Sequence, residues 1–107
     1  MTRYVRRRYV AVKIEGNQTL SERDVYDAVW TSLARLFGEY GASQAELSLI
    51  EYNPEKKLAV FRCSHKALEI VKASIAAMTE VTGEKMAFHV IRVSGTLKSL
   101  RTKIDNK

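Results

Sequence analysis

Two stretches of the chain hold side chains of the kind that perform catalysis. Cys63, Ser64 and His65 stand in a row, a thiol and a hydroxyl beside an imidazole, and His89 lies alone further on. Neighbours at a strand-to-helix junction point in different directions, whereas a nucleophile and its base must come within hydrogen-bond reach. The triplet therefore reads as a core residue, a helix cap and a polar first-turn residue. His89 has no second His or Cys at ligand spacing, and the acids are scattered over helix surfaces, so no metal set is expected. The sequence predicts no catalytic residue in this chain, no metal and no cofactor bound by it.

What remains is electrostatic. The net charge is +6, and it is unevenly placed: residues 1–13 carry +5, residues 92–107 carry +4, and residues 14–91 carry −3. Terminal charge of this kind reads either as solvated tails or as a grip on a polyanion. The first cluster, Arg3, Arg6, Arg7, Arg8 and Lys13, runs into a strand-like alternation of Val10, Val12 and Ile14. In the second, Ser94-Gly95-Thr96 precedes a short helix bearing Lys98, Arg101 and Lys103. Glycine, hydroxyls and free N–H groups at a helix start can hold a phosphate, and plain N-capping accounts for the triplet equally well. Arg62, Lys66 and Lys72 are further candidates for phosphate contacts. Base stacking on a sheet, as in an RNA recognition motif, is not expected, because only Tyr9 and Phe61 supply aromatics on the relevant strands.

The elements that must position these groups follow from spacing. At 107 residues the chain is read as a single domain spanning 1–107, with a basic N-terminal segment 1–8 and a basic C-terminal helix 96–107. After the first strand, Ser21 and Asp24 form a helix start, followed by an apolar stripe of Val25, Val29, Leu33, Leu36, Phe37 and Tyr40; Gly38 and Gly41 should stop it. Residues 47–52 and 57–63 form a hairpin about Asn53-Pro54-Glu55-Lys56. Ser64 should cap a second helix through about Thr79, and residues 86–93 form a last strand. The class is α+β, a ferredoxin-like or RRM-like β-α-β-β-α-β sandwich. It implies a four-stranded antiparallel sheet in the order 4-1-3-2, two helices on one face and a short C-terminal helix.

Two consequences follow. The start of strand 1 and the end of strand 4 fall at one end of the sheet, so the two basic clusters should converge. Both faces of the sheet are also apolar: Leu58 and Val60 oppose Ala59, Phe61 and Cys63, while Met86, Phe88 and Val90 oppose Ala87, Ile91 and Val93. Two helices cover one face, so the other needs the Leu97, Leu100, Ile104 helix, a partner protein, or both. A lone Cys63 and the absence of a signal-like or membrane-spanning apolar run suggest a reducing compartment, and the protein is expected in the cytoplasm.

Three segments together resemble the archaeal component 2 family of ribonuclease P proteins, of the Pop/Rpp type. They are Arg7-Arg8-Tyr9-Val10-Ala11-Val12-Lys13-Ile14, Val60-Phe61-Arg62-Cys63-Ser64-His65-Lys66 and Val93-Ser94-Gly95-Thr96-Leu97-Lys98-Ser99-Leu100-Arg101. The resemblance spans nearly the whole chain, though without the long C-terminal extension some members carry. It implies a subunit of the ribonucleoprotein that removes 5′ leaders from precursor tRNA, with the catalysis and the magnesium ions belonging to the RNA. It also implies partnership with ribonuclease P RNA, precursor tRNA and the protein called component 3, and it admits a homodimer within a heterotetramer. Two other readings stand beside it: a ferredoxin-like ligand-sensing or regulatory domain, and a small hydrolase, for which Glu15-Gly16-Asn17-Gln18-Thr19 is a poor anion loop.

Overall fold

The computed structural model describes residues 6–81 and 83–105. In chain order it contains β1 (Arg7–Glu15), α1 (Glu22–Ala45), β2 (Ser48–Asn53), β3 (Leu58–Ser64) and α2 (Leu68–Ala76). A small ribbon of β4 (Glu80–Val81) and β5 (Glu84–Lys85) follows, then β6 (Ala87–Ser94) and α3 (Leu97–Asp105). The main sheet is ordered β2-β3-β1-β6 with antiparallel neighbours, which is the expected arrangement read from the opposite edge. Val10, Val12 and Ile14 of β1, Ala59, Phe61 and Cys63 of β3, and Phe88 of β6 face α1 and α2 and form the main core with Val25, Val29, Leu33, Val71 and Ile75.

α1 begins at a capping box: the Ser21 hydroxyl accepts from the Asp24 backbone N–H at 3.1 Å, and the Asp24 carboxylate accepts from the Ser21 N–H at 3.4 Å. Its far end departs from the expected stripe. Gly38 adopts φ 81, ψ 162, a conformation open essentially only to glycine, and breaks the helix without ending it; helical turns resume as far as Ala45. The break changes which side meets the core. Ala42 and Ala45 are buried, whereas Leu36, Phe37 and Tyr40 are 50%, 41% and 79% exposed, so the apolar stripe ends at Leu33.

Ser64 does not cap α2. A 3-10 turn, His65–Ala67, intervenes, and the Ser64 hydroxyl donates instead to the Gln44 carbonyl at 3.3 Å, one of the acceptors left over at the end of α1. The β2–β3 turn is held by Asn53, whose side-chain oxygen accepts from the N–H groups of Glu55 and Lys56 at 3.0 and 3.1 Å.

The outer sheet face differs from simple alternation at two irregularities. Along β1 and β6, Ala11 pairs with Arg92 and Val12 with Val90, leaving Ile91 as the extra residue; along β2 and β3, Leu49 pairs with Phe61 and Glu51 with Val60, leaving Ile50. Each bulge shifts parity by one. Val93, expected opposite Val90, therefore packs on the same side, against the main core. Ile50 and Ile91 turn to the outer face, where with Tyr9, Ala11 and Val60 they receive Leu97, Leu100 and Ile104 of α3. Leu100 is completely buried there, so the chain covers the middle of its own second face.

Gly16 shows how closely the β1–α1 turn approaches Met86, between β5 and β6. A Cβ at Gly16 would lie 2.8 Å from Met86 Cε and 2.9 Å from Cγ, and its φ of +153 is itself unfavourable for other residues. Gly16→Ala should lower stability by about 1–3 kcal/mol. In urea unfolding, Gly16→Ala combined with Met86→Ala should cost less than the sum of the two, because the smaller side chain removes the clash.

Candidate nucleic-acid interface

The pairing of Tyr9 with Ser94 places the start of β1 and the end of β6 at the same end of the sheet. Arg7 pairs with Ser64 and Arg8 with Cys63, and the Arg6 carbonyl accepts from the His65 N–H at 2.8 Å, so the 3-10 turn that precedes α2 joins them. Arg6, Arg7, Arg8 and Lys66 are thereby gathered near Ser94, Gly95, Thr96 and Lys98. Contact across the two termini is close: an Arg8 guanidinium nitrogen lies 3.6 Å from where a Gly95 Cβ would stand. The Glu46 carboxylate enters this end and pairs with Arg7 at 3.7 Å while both remain half exposed.

The Ser94-Gly95-Thr96 turn is built as a cap. Thr96 Oγ1 accepts from the Ser99 N–H at 3.1 Å, the Thr96 carbonyl from the Leu100 N–H at 3.1 Å, and Ser94 Oγ from the Thr96 N–H at 3.4 Å. Arg62 sits one row inward, paired with Tyr9 and Ser48, and its buried Nε has no hydrogen-bond partner. Tyr9 is half buried under α3 and Phe61 lies wholly in the main core, so neither offers a free ring for stacking.

Not every predicted cation joins this end. Arg101 is ion-paired with Glu51 of β2 and ties α3 to the sheet. Lys13 lies six positions along β1 from Arg7, about 20 Å away at strand rise, and donates to the Lys56 carbonyl at 2.8 Å. Lys103 donates to the Val93 carbonyl at 3.5 Å, and its side chain also lines, with Lys13, Lys56 and Arg92, an open trough of about 1060 Å³. Lys56 and Arg92 were not among the sequence candidates. Regular alternation sets Arg92 opposite Ile91, and only the bulge brings the two to one face. Lys72 pairs with Glu69 on α2 at 3.9 Å, and Arg3 lies outside the described residues.

No catalytic grouping is assembled among the described residues. Cys63 is buried, the Ser64 hydroxyl is committed to Gln44, and His89 pairs at the surface with Glu15 at 3.0 Å. No group of three or more His, Cys, Asp or Glu among the described residues could hold a metal. Burial pushes the Cys63 thiol up to about 11, with Arg8 opposing the shift. The folded thiol binds its proton more tightly than an unfolded one at 9.0, so its contribution to stability is lost as pH rises from about 9 to 11. Iodoacetamide at pH 8 should label Cys63 far more slowly in the native chain than in urea.

Such a fold, with basic residues at one end of its sheet, defines a small α+β domain of the ferredoxin-like class. The Rpp14/Pop5 family matches residues 8–105, and the chain belongs to that family. It is 28% identical to ribonuclease P protein component 2 of Pyrococcus abyssi over 96 residues, covering 90% of this chain and 81% of that protein. With the protein of the same name from Methanosarcina mazei it shares 29% identity over 93 residues, covering 87% and 78%. A chain in the cryo-EM structure of yeast ribonuclease MRP has the same fold, with a TM-score of 0.71 at 15% identity over 98% of this chain and 95% of that one. The ligand-sensing alternative finds no support in these relationships. Among the described residues, no helix is long and apolar enough to cross a membrane.

Proposed function

We propose that this chain is a protein subunit of ribonuclease P, binding and activating the catalytic RNA that removes the 5′ leader from precursor tRNA. The observation that carries this reading is the gathering of Arg6, Arg7, Arg8, Lys66 and Lys98 at one end of the sheet, supplied by segments remote in sequence. Guanidinium and ammonium groups held there neutralise phosphates and release their condensed counterions. Where RNA segments and substrate crowd together, fixed cations replace part of the screening that dissolved ions must otherwise supply. The chemistry and the magnesium ions belong to the partner RNA; this chain works with it in the cytoplasm.

A second protein, component 3, is the partner in this reading, in a pair that can double through a homodimer into a heterotetramer. Among the described residues, Leu36, Phe37 and Tyr40 beside Gly38 form an exposed apolar knuckle, while α3 already covers the middle of the outer sheet face. Reconstitution of ribonuclease P RNA with component 3, with and without this chain, tests the function. Addition of the chain should lower the magnesium concentration at half-maximal cleavage of precursor tRNA. An unchanged requirement and an unchanged rate would overturn the reading.

A further inference from the structure

We propose that the trough beside the C-terminal half of α3 seats one unpaired nucleotide of an RNA strand, at a place distinct from the basic end of the sheet. This rests on the chain being an RNA-binding subunit and adds to it the kind of RNA that this second place takes. The floor is apolar: Leu58 of β3, Ile91 at the β6 bulge and Ile104 of α3. The rim is cationic: Lys13, Lys56, Arg92 and Lys103, with Glu55 as the carboxylate among the lining residues. None of the four cations takes part in an ion pair among the described residues; the pairs formed there use Arg7, Arg23, Lys72, His89 and Arg101. Four like charges around one hollow, against the single lining carboxylate of Glu55, leave a positive excess that favours an anion between them.

The apolar floor decides which anion. Duplex RNA keeps its bases paired inside and would meet the trough with phosphates alone, leaving the floor unused. An acidic peptide brings carboxylates but no flat apolar face. An unpaired nucleotide supplies both, a base to lie on the floor and flanking phosphates to reach the rim. The hollow of about 1060 Å³ is slightly larger than the usual small-ligand pocket, so it has room for a nucleotide. Its rim is partly organised in advance, because Lys13 is anchored on the Lys56 carbonyl at 2.8 Å and Arg92 donates to the Ile91 carbonyl at 2.8 Å.

Fluorescence anisotropy on the full chain tests this with three labelled probes: an oligouridylate, an abasic backbone carrying the same phosphates, and a short blunt RNA duplex. Lys13→Gln combined with Arg92→Gln should weaken oligouridylate binding about tenfold and make its salt dependence shallower by about 1.4 log units. Duplex binding should stay within about twofold, since it depends on the arginines at the other end. The native chain should prefer the oligouridylate to the abasic backbone by about fivefold or more. Equal binding of the oligouridylate by the double variant and the native chain would overturn the proposal. So would an abasic backbone or a polyglutamate that competes as well as the oligouridylate. If duplex binding still depends on Arg6, Arg7 and Arg8 while the oligouridylate ignores the trough, this inference alone falls. If the native chain binds none of the RNA probes, the ribonuclease P reading falls with it.

Discussion

Replacing Arg6, Arg7 and Arg8 together with alanine is expected to flatten the salt dependence of binding to ribonuclease P RNA by about 0.9 log units for each phosphate no longer neutralised. If each arginine serves one phosphate, the slope of log K against log salt falls by about 2.7, and affinity at low salt falls by orders of magnitude. Arg7 should contribute least, because Glu46 already lies 3.7 Å from it and must be displaced or shared when a phosphate arrives. Single variants therefore should rank Arg6 and Arg8 above Arg7. Folding should survive the triple replacement, since Arg6 and Arg7 are exposed and the ladder at this end uses backbone groups. Filter binding across a salt series, with thermal melting as a control, measures both. A slope identical to that of the native chain would remove the basic end from the interface.

Leu100→Ala should destabilise the chain more than Gly16→Ala, by about 2–4 kcal/mol, and its effect should be local. Leu100 is the fully buried anchor of α3 and sits in a small cluster with Ala11 and Val60 on the far side of the sheet from the main core. Removing its side chain leaves α3 held by Leu97, Ile104 and the exposed Arg101–Glu51 pair, and exposed pairs contribute little. Hydrogen exchange should show the α3 amides losing protection while those of β1, β3 and α2 keep theirs. Uniform loss across the whole chain would show that the two clusters unfold as one. Because α3 also carries Lys98 and Lys103, the same variant should weaken RNA binding more than its modest loss of folded fraction explains.

Much of the architecture is legible in the sequence. Alternation at Val10, Val12 and Ile14, the Ser21–Asp24 capping box and the Asn53-Pro54 turn are local signals, each decided by residues within a few positions of one another. They are enough to order the strands and to bring the two basic ends together, because strand connectivity and crossover handedness leave few alternatives. The Leu36, Phe37, Tyr40 stripe misleads because periodicity assumes an unbroken helix. A single glycine at φ 81 interrupts the helix just where the stripe leaves the core: Leu36 and Phe37 before it and Tyr40 after it are exposed, while Ala42 and Ala45 beyond it are buried.

Sequence by itself determined the α+β class and the concentration of positive charge in the terminal segments. These depend on composition and short-range pattern, which folding does not alter. Only the tertiary structure decided how the cations are shared out. Arg101 is drawn to Glu51, fifty positions away in the chain, and Lys13 and Lys103 meet Lys56 and Arg92 at a second place. The physical reason is that a β-bulge inserts one residue and reverses the facing of those beyond it, while ion pairs form between groups that only the sheet brings together.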